Sequence, residues 1–294
     1  MTDIPSIPDW SFISQTQDKL GESPVWRADR GLIYWIDFYG PTIRWCDPAG
    51  GGAGSWTLSD AQEIGSIAQA GQGFLAATDL GVLLVDPHSR TARAIADPNQ
   101  GRPGIGYNDA KPDRQGRYWV GTYDAAETAP RGILYCLTDA QHTHVADSGF
   151  VVCNGPAFSP DGTTLYFSDS AGRRILAYDL LPDRPTLRNR REFFALPEGE
   201  GLPDGLTVDA EGHLWIAQYG AGLISRLSPE GKRVACIRAP TPNVTSLCFG
   251  GDNLDFLFVT TGEAAGKGGS PAGCLLRFAP GTTGLAEADC RFPV

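Results

Sequence analysis

Apolar and polar residues alternate along this chain in short runs, each cut by a Gly/Asp turn, and the same phrase returns six times. It reads SPVWRADRGLIYWID, SIAQAGQGFLAATD, AKPDRQGRYWVGT, NGPAFSPDGTTLYFSDS, LTVDAEGHLWIAQ and SLCFGGDNLDFLFVT. Each phrase is an apolar strand, a turn and a second strand. A period of two predicts strands and excludes the three-and-four spacing of a helical solenoid. The second strands begin near Tyr34, Phe74, Tyr118, Tyr166, Leu214 and Leu257, with gaps of 40, 44, 48, 48 and 43 residues. A third strand and turn follow each one (TIRWCDPAG, VLLVDPHS, ILYCLTDA, RILAYDLLPD, LISRLSPEG, LLRFAPG). Weaker fourth strands come next: SWTLS, ARAIA, HTHVA, EFFAL and RVACI. Six units of about four strands predict an all-β, six-bladed β-propeller, one domain over residues 1–294. The sixth unit needs a terminal strand, from WSFISQ (10–15) or ADCRFPV (288–294), to close the ring and remove an exposed sheet edge.

Composition narrows the partners. The 37 Gly and 22 Pro among 294 residues suit many tight turns. A net charge of −10 with scattered Lys and Arg argues against a nucleic-acid or anionic-membrane surface, and leaves a small molecule or a cation as partner. The start MTDIPSIPDW lacks the basic residues and apolar run of a secretory signal, so a cytoplasmic location is expected. The protein is expected to act as a monomer or weak homo-oligomer. Seven cysteines without a CxxC pair fit buried thiols in a reducing compartment.

In a propeller the first strand of each blade lines the axis, so the residue that opens it faces a shared pore. Ten to twelve residues before each second strand stand Glu22, Glu63, Asn108, Asn154, Asp204 and Thr245, with Asn243 nearby. Five of these six are Asp, Glu or Asn, types that make up about one residue in seven of the chain. Unpaired buried charge is costly, and a hard cation would relieve such a ring. Oxygen-only ligands favour calcium, magnesium or manganese over zinc. The alternative is that these residues cap strand ends or hydrogen-bond in a water-filled channel. His88, His142, His144 and His213 fall in turns or outer strands, and no G-x-S-x-G elbow is present, which disfavours a serine hydrolase. Asp109 and Lys111 read as satisfying neighbouring backbone or pairing with each other, and Trp26, Trp35, Trp119 and Trp215 as packing between blades.

The stretches LGESPVW (20–26), YNDAKPDRQGRYWVGT (107–122), NGPAFSPDGTTLYFSDS (154–170), PDGLTVDAEGHLWIA (203–217) and TSLCFGG (245–251) resemble, in order, the SMP-30/gluconolactonase/regucalcin family. The resemblance implies a six-bladed propeller holding one divalent metal ion at the channel mouth, calcium first, with magnesium, manganese, zinc or iron as alternatives. It implies Glu22, Asn154 and Asp204 as metal ligands and Asn108 as a contact to substrate or to a metal-bound water. Sugar lactonases of this family carry arginine two residues before that asparagine, where this chain has Gly106; Arg102 in the preceding loop is the candidate replacement. ETAP (127–130) resembles the family's lid loop and makes Glu127 a candidate substrate contact.

The expected reaction is metal-assisted hydrolysis of a sugar lactone to its hydroxy acid. The ion would polarise the carbonyl and lower the pKa of water, with Asp204 as general base. Two rivals stand beside it: a metal-dependent hydrolase of another ester or a phosphotriester, and a non-catalytic calcium-binding propeller.

Overall fold

The computed structural model describes residues 5–263 and 271–291. Within them, twenty-four strands form six four-stranded antiparallel sheets. Blade one is β2–β5 (Gly21–Arg27, Leu32–Asp37, Thr42–Cys46, Ala53–Thr57) and blade two is β6–β9 (Ile64–Ala70, Gly73–Thr78, Gly81–Asp86, Thr91–Ala96). Blade three is β10–β13 (Ile105–Pro112, Tyr118–Asp124, Gly132–Leu137, Thr143–Phe150) and blade four is β14–β17 (Cys153–Phe158, Thr164–Asp169, Arg174–Leu180, Leu187–Ala195). Blade five is β18–β21 (Leu202–Val208, Leu214–Tyr219, Leu223–Leu227, Arg233–Arg238). Blade six joins β22–β24 (Val244–Gly250, Phe256–Thr261, Leu275–Phe278) to β1 (Ser11–Ser14), in the order β1-β24-β23-β22.

The ring is therefore closed by the N-terminal of the two candidate segments. The other takes a different task, as far as Arg291; residues 292–294 lie outside the described ones. The stretch 283–291 crosses the far end of the pore and bonds to four blades in turn. The Thr283 carbonyl accepts from Ala210 N–H at 2.9 Å, and Gly284 N–H donates to Leu254 O at 2.7 Å. The Ala286 carbonyl accepts from Arg114 Nη1 at 2.9 Å, and Cys290 N–H donates to Gln69 O at 2.8 Å. Glu287 meets Lys Nζ of Lys111 at 2.9 Å.

Apolar alternation places the core between adjacent sheets. Tyr34, Ile36, Ile43, Ile67, Phe74 and Val85 are all buried between blades one and two, and comparable clusters fill the other seams. All six innermost strands touch their neighbours around the axis, β2 to β6, β10, β14, β18, β22 and back to β2. So close an approach leaves little room for side chains: a Cβ on Gly205 would stand 2.2 Å from Ser246 Oγ of the next blade.

Every innermost strand breaks register with its neighbour near its start. The shifts fall at Glu22/Val25, Ile64/Ser66, Tyr107/Ala110, Asn154/Ala157, Pro203/Leu206 and Val244/Leu247. A bulge re-aims the side chains it contains. Here it recurs at the polar positions of the repeat.

Candidate functional site

The bulged starts of β2, β10, β14 and β18 bring Glu22, Asn108, Asp109, Asn154 and Asp204 together at one end of the pore. Glu22, Asp109, Asn154 and Asp204 are buried. Asn108 Nδ2 donates to Asn154 Oδ1 at 2.5 Å and to Cys153 O at 2.9 Å. Asn154 Nδ2 donates to Ser170 Oγ at 2.9 Å, and that hydroxyl donates to Pro203 O at 2.7 Å, beside Asp204. This chain holds the Asn154 carboxamide so that its oxygen faces the ring, with a second lone pair beyond the one Asn108 occupies.

The carboxylates sit under strong electrostatic stress. Burial pushes Glu22 well above the usual carboxylate range, and the charges of Asp204 and Asp109 push it further. Asp204 is raised by burial and then by Asp109. Burial lifts Asp109 to about 7, against the pull of Lys111 and of a bond from Gly155 N–H at 3.0 Å. Among the described residues no Lys or Arg forms an ion pair with any of the three. The backbone half of the expectation for Asp109 thus holds, whereas Lys111 pairs with Glu287 and donates to Leu206 O at 2.7 Å.

A bound divalent ion fits this donor set. Two buried carboxylates and one carboxamide offer oxygen only, and neither carboxylate has an ion-pair partner among the described residues. A second grouping of ligand types, Asp209, Glu211 and His213, does not fit. Asp209 lies five residues beyond Asp204, just past the end of β18, ~16 Å away at ~3.3 Å per residue. Its oxygens already accept from Trp215 Nε1 at 2.9 Å, Arg226 Nε at 2.8 Å and the amides of Glu211 and His213. Arg226 bonds Glu211 as well, at 2.6 Å, so a guanidinium already occupies the cluster.

The mouth above the ring is edged by tyrosines that the sequence reading passed over. Tyr219 is raised by burial first, then by Asp204, Tyr39, Glu127 and Glu22. Tyr123 is raised by burial and by its bond to Glu63, Oη to Oε2 at 2.7 Å. Tyr39, 52% exposed, feels Glu63 and Glu127. A signal was available: Tyr39, Tyr123 and Tyr219 each stand five residues after the starts of second strands at Tyr34, Tyr118 and Leu214. Their recurring phase is that of the strand end facing the mouth.

The remaining candidates have these places. Glu127 is exposed on the loop between β11 and β12, and its charge reaches all three tyrosines. Arg102 lines an adjoining cleft, but its guanidinium is tied to Arg131 O at 2.8 Å, Tyr135 Oη at 3.2 Å and Asn99 Oδ1 at 3.4 Å. It holds its own loop rather than reaching the ring. Gly106 faces Tyr123, with which it pairs across β10 and β11. Trp35, Trp119 and Trp215 do more than pack: their indole N–H groups donate to buried Asp18, Asp113 and Asp209 at 2.8, 2.8 and 2.9 Å.

Residues 20–263 match the model of the SMP-30/gluconolactonase/LRE-like region. The chain is 32% identical over 287 residues to the pentonolactonase XacC of Haloferax volcanii, covering 94% of this chain and 96% of that one. It is 35% identical over 245 residues to a 6-deoxy-6-sulfogluconolactonase of Pseudomonas putida, covering 82% and 83%. Among solved structures it superposes on a luciferin-regenerating enzyme with a TM-score of 0.89 and 25% identity, over 96% of this chain and 99% of that one.

Proposed function

The chain belongs to the SMP-30/gluconolactonase/LRE-like family, and from that premise we propose that it is a divalent-metal-dependent lactonase opening a sugar lactone to its hydroxy acid. The observation that carries the reading is the convergence of Glu22, Asn154 and Asp204, from three blades, on one buried end of the pore without a cationic partner among the described residues. These three residues would hold the ion. When bound, it supplies Lewis acidity toward the lactone carbonyl oxygen, where negative charge grows as water attacks.

The chain's own groups do the rest. Asp204 takes the proton of the attacking water, because a carboxylate at the ring is within reach of a water placed there. Asn108, locked by its bonds to Asn154 and Cys153 O, presents its carboxamide oxygen to the substrate at no further ordering cost. Tyr39, Tyr123 and Tyr219 narrow the mouth and offer hydroxyls and ring faces to a polyhydroxylated ligand. The pentonolactonase and sulfogluconolactonase names of the two relatives support a sugar lactone as the substrate class.

The test is a panel of sugar lactones and one phosphotriester, followed by acid release at constant pH after chelation and after adding back calcium, magnesium, manganese or zinc. Hydrolysis of a sugar lactone that returns with an added ion, together with loss of activity in folded Asp204→Ala, is expected. Full activity in that variant, or in protein shown by elemental analysis to hold no metal, overturns the proposal.

A further inference from the structure

Beside the ring, a cleft of about 580 Å³ opens between the starts of blades two and three. Its charged lining residues are Glu63, Asp79, Asp97 and Arg102. Three of these are committed to the protein itself. Asp79 Oδ1 accepts the amides of Gln62 and Glu63, and Asp97 Oδ1 accepts the Asn99 amide and the Tyr107 hydroxyl. Arg102 holds its loop as described. Neighbouring Arg131 is bound to Asp124 and to the carbonyls of Pro103 and Gly104.

Glu63 differs. Asp79 and Asp97 each take two hydrogen bonds on one oxygen, whereas the Glu63 side chain takes a single one, from Tyr123 Oη, and no backbone amide among the described residues holds it. Tyr123 is itself pinned in place. A Cβ on Gly106 would stand 2.2, 2.6 and 2.9 Å from Tyr123 Cε1, Cζ and Oη, so the ring occupies the volume that any side chain at position 106 would need. A side chain at position 106 and the Tyr123 ring in this place therefore exclude each other. Gly106 lies two residues before Asn108 on β10, so the pair sits ~7 Å up the strand from the ring, about the width of a sugar.

We infer that the Tyr123–Glu63 pair is a specificity element: Glu63 accepts a hydrogen bond from a substrate hydroxyl, and the site selects uncharged polyhydroxylated lactones over those bearing phosphate, sulfonate or carboxylate. This rests on the lactonase reading above. A carboxylate oriented by a tyrosine hydroxyl is a strong acceptor for O–H. The same carboxylate repels an anionic substituent, and the guanidinium that lines the cleft, that of Arg102, is already bonded to Tyr135 Oη and Arg131 O. A site built to bond a hydroxyl also disfavours an analogue that lacks it, because its own polar group is left unpaired.

The experiment compares an uncharged hexono-1,4-lactone with its 6-phosphate, on the whole protein supplied with the activating ion, for wild type, Tyr123→Phe and Glu63→Gln. Melting temperature is measured alongside to confirm folding. The expected kcat/KM of wild type favours the uncharged lactone by about 100-fold at low salt, falling as ionic strength rises. Glu63→Gln narrows that ratio about 10-fold, and Tyr123→Phe costs the uncharged lactone about 10-fold, with the loss falling on KM. Equal use of the two lactones by wild type, or an unaltered ratio in a folded and active Glu63→Gln, overturns the inference. Should wild type hydrolyse neither these two nor any sugar lactone of the panel, the reaction proposed above falls. Calorimetric binding of the same two intact lactones then decides the preference by itself, and equal affinities or no binding of the uncharged one count against it.

Discussion

Asp109 offers a quantitative test of the stressed carboxylates that does not require knowing the substrate. Its ordinary value of 3.8 rises to about 7 in the folded protein, chiefly through burial. Below about 3.9 folded and unfolded chains both keep the proton. Between there and about 7 the folded protein retains a proton that the unfolded chain has released, so stability falls as pH rises through this window and levels off above it. The gap between the two values corresponds to ~4 kcal/mol from this one group. Glu22 and Asp204 are pushed in the same direction, which makes the slope of the wild type steeper still. Asp109→Asn removes the charge while leaving an oxygen for the Gly155 amide, and it relieves Glu22 and Asp204 of one repelling neighbour. Urea unfolding in chelator, followed by tryptophan fluorescence from pH 4.5 to 8, measures the difference. The variant should exceed wild type by only ~1 kcal/mol near pH 4.5, where the unfolded carboxyl is already largely ionised, and by up to ~4 kcal/mol at pH 8, roughly 7 °C in melting temperature. Parallel profiles, within ~0.5 kcal/mol across the range, would mean that these carboxylates are not mutually stressed in the folded state.

Three further outcomes follow from the same geometry. Asp204→Ala should lower lactone hydrolysis at least ~100-fold and abolish the stabilisation by divalent ion, which for wild type at 100 times the dissociation constant is ~2.7 kcal/mol by thermal shift. Asp209→Ala should destabilise by ~3–5 kcal/mol in urea, because the Arg226 guanidinium, the Trp215 indole and two amides lose their acceptor. Added divalent ions should not restore Asp209→Ala selectively over wild type, since that cluster already holds a guanidinium. Gly205→Ala should cost ~1–3 kcal/mol and lower activity, since the new methyl meets Ser246 Oγ at 2.2 Å and shifts the strand that carries Asp204; a calorimetric melt and the lactone assay read both.

The propeller was legible because its cause is local. Alternation, turn residues and a period of forty-odd residues are written along the chain, and each blade satisfies them with its own strands. Glu22, Asn108, Asn154 and Asp204 were legible for the same reason: they occupy one phase of the repeat, and symmetry about an axis turns equal phase into shared location. Tyr39, Tyr123 and Tyr219 also share a phase, but at or just past the end of the second strand, away from the first-strand starts that line the axis.

Other features depend on groups remote in the chain. Two terminal segments could close the sixth blade, and only pairing of Ser11–Ser14 with Leu275–Phe278 distinguishes them. Lys111 stands two residues from Asp109 yet pairs with Glu287, because that segment folds back across the far end of the pore. Arg102 is near the mouth in sequence but finds its acceptors at Asn99, Arg131 and Tyr135, so its reach is set by its loop. Glycine at 106 reads along the chain as a lost arginine; in three dimensions it is room for Tyr123. Periodic information fixes which residues face the axis, since it depends only on spacing. Which partner each polar group meets depends on distances between strands far apart in sequence, and those exist only once the ring has closed.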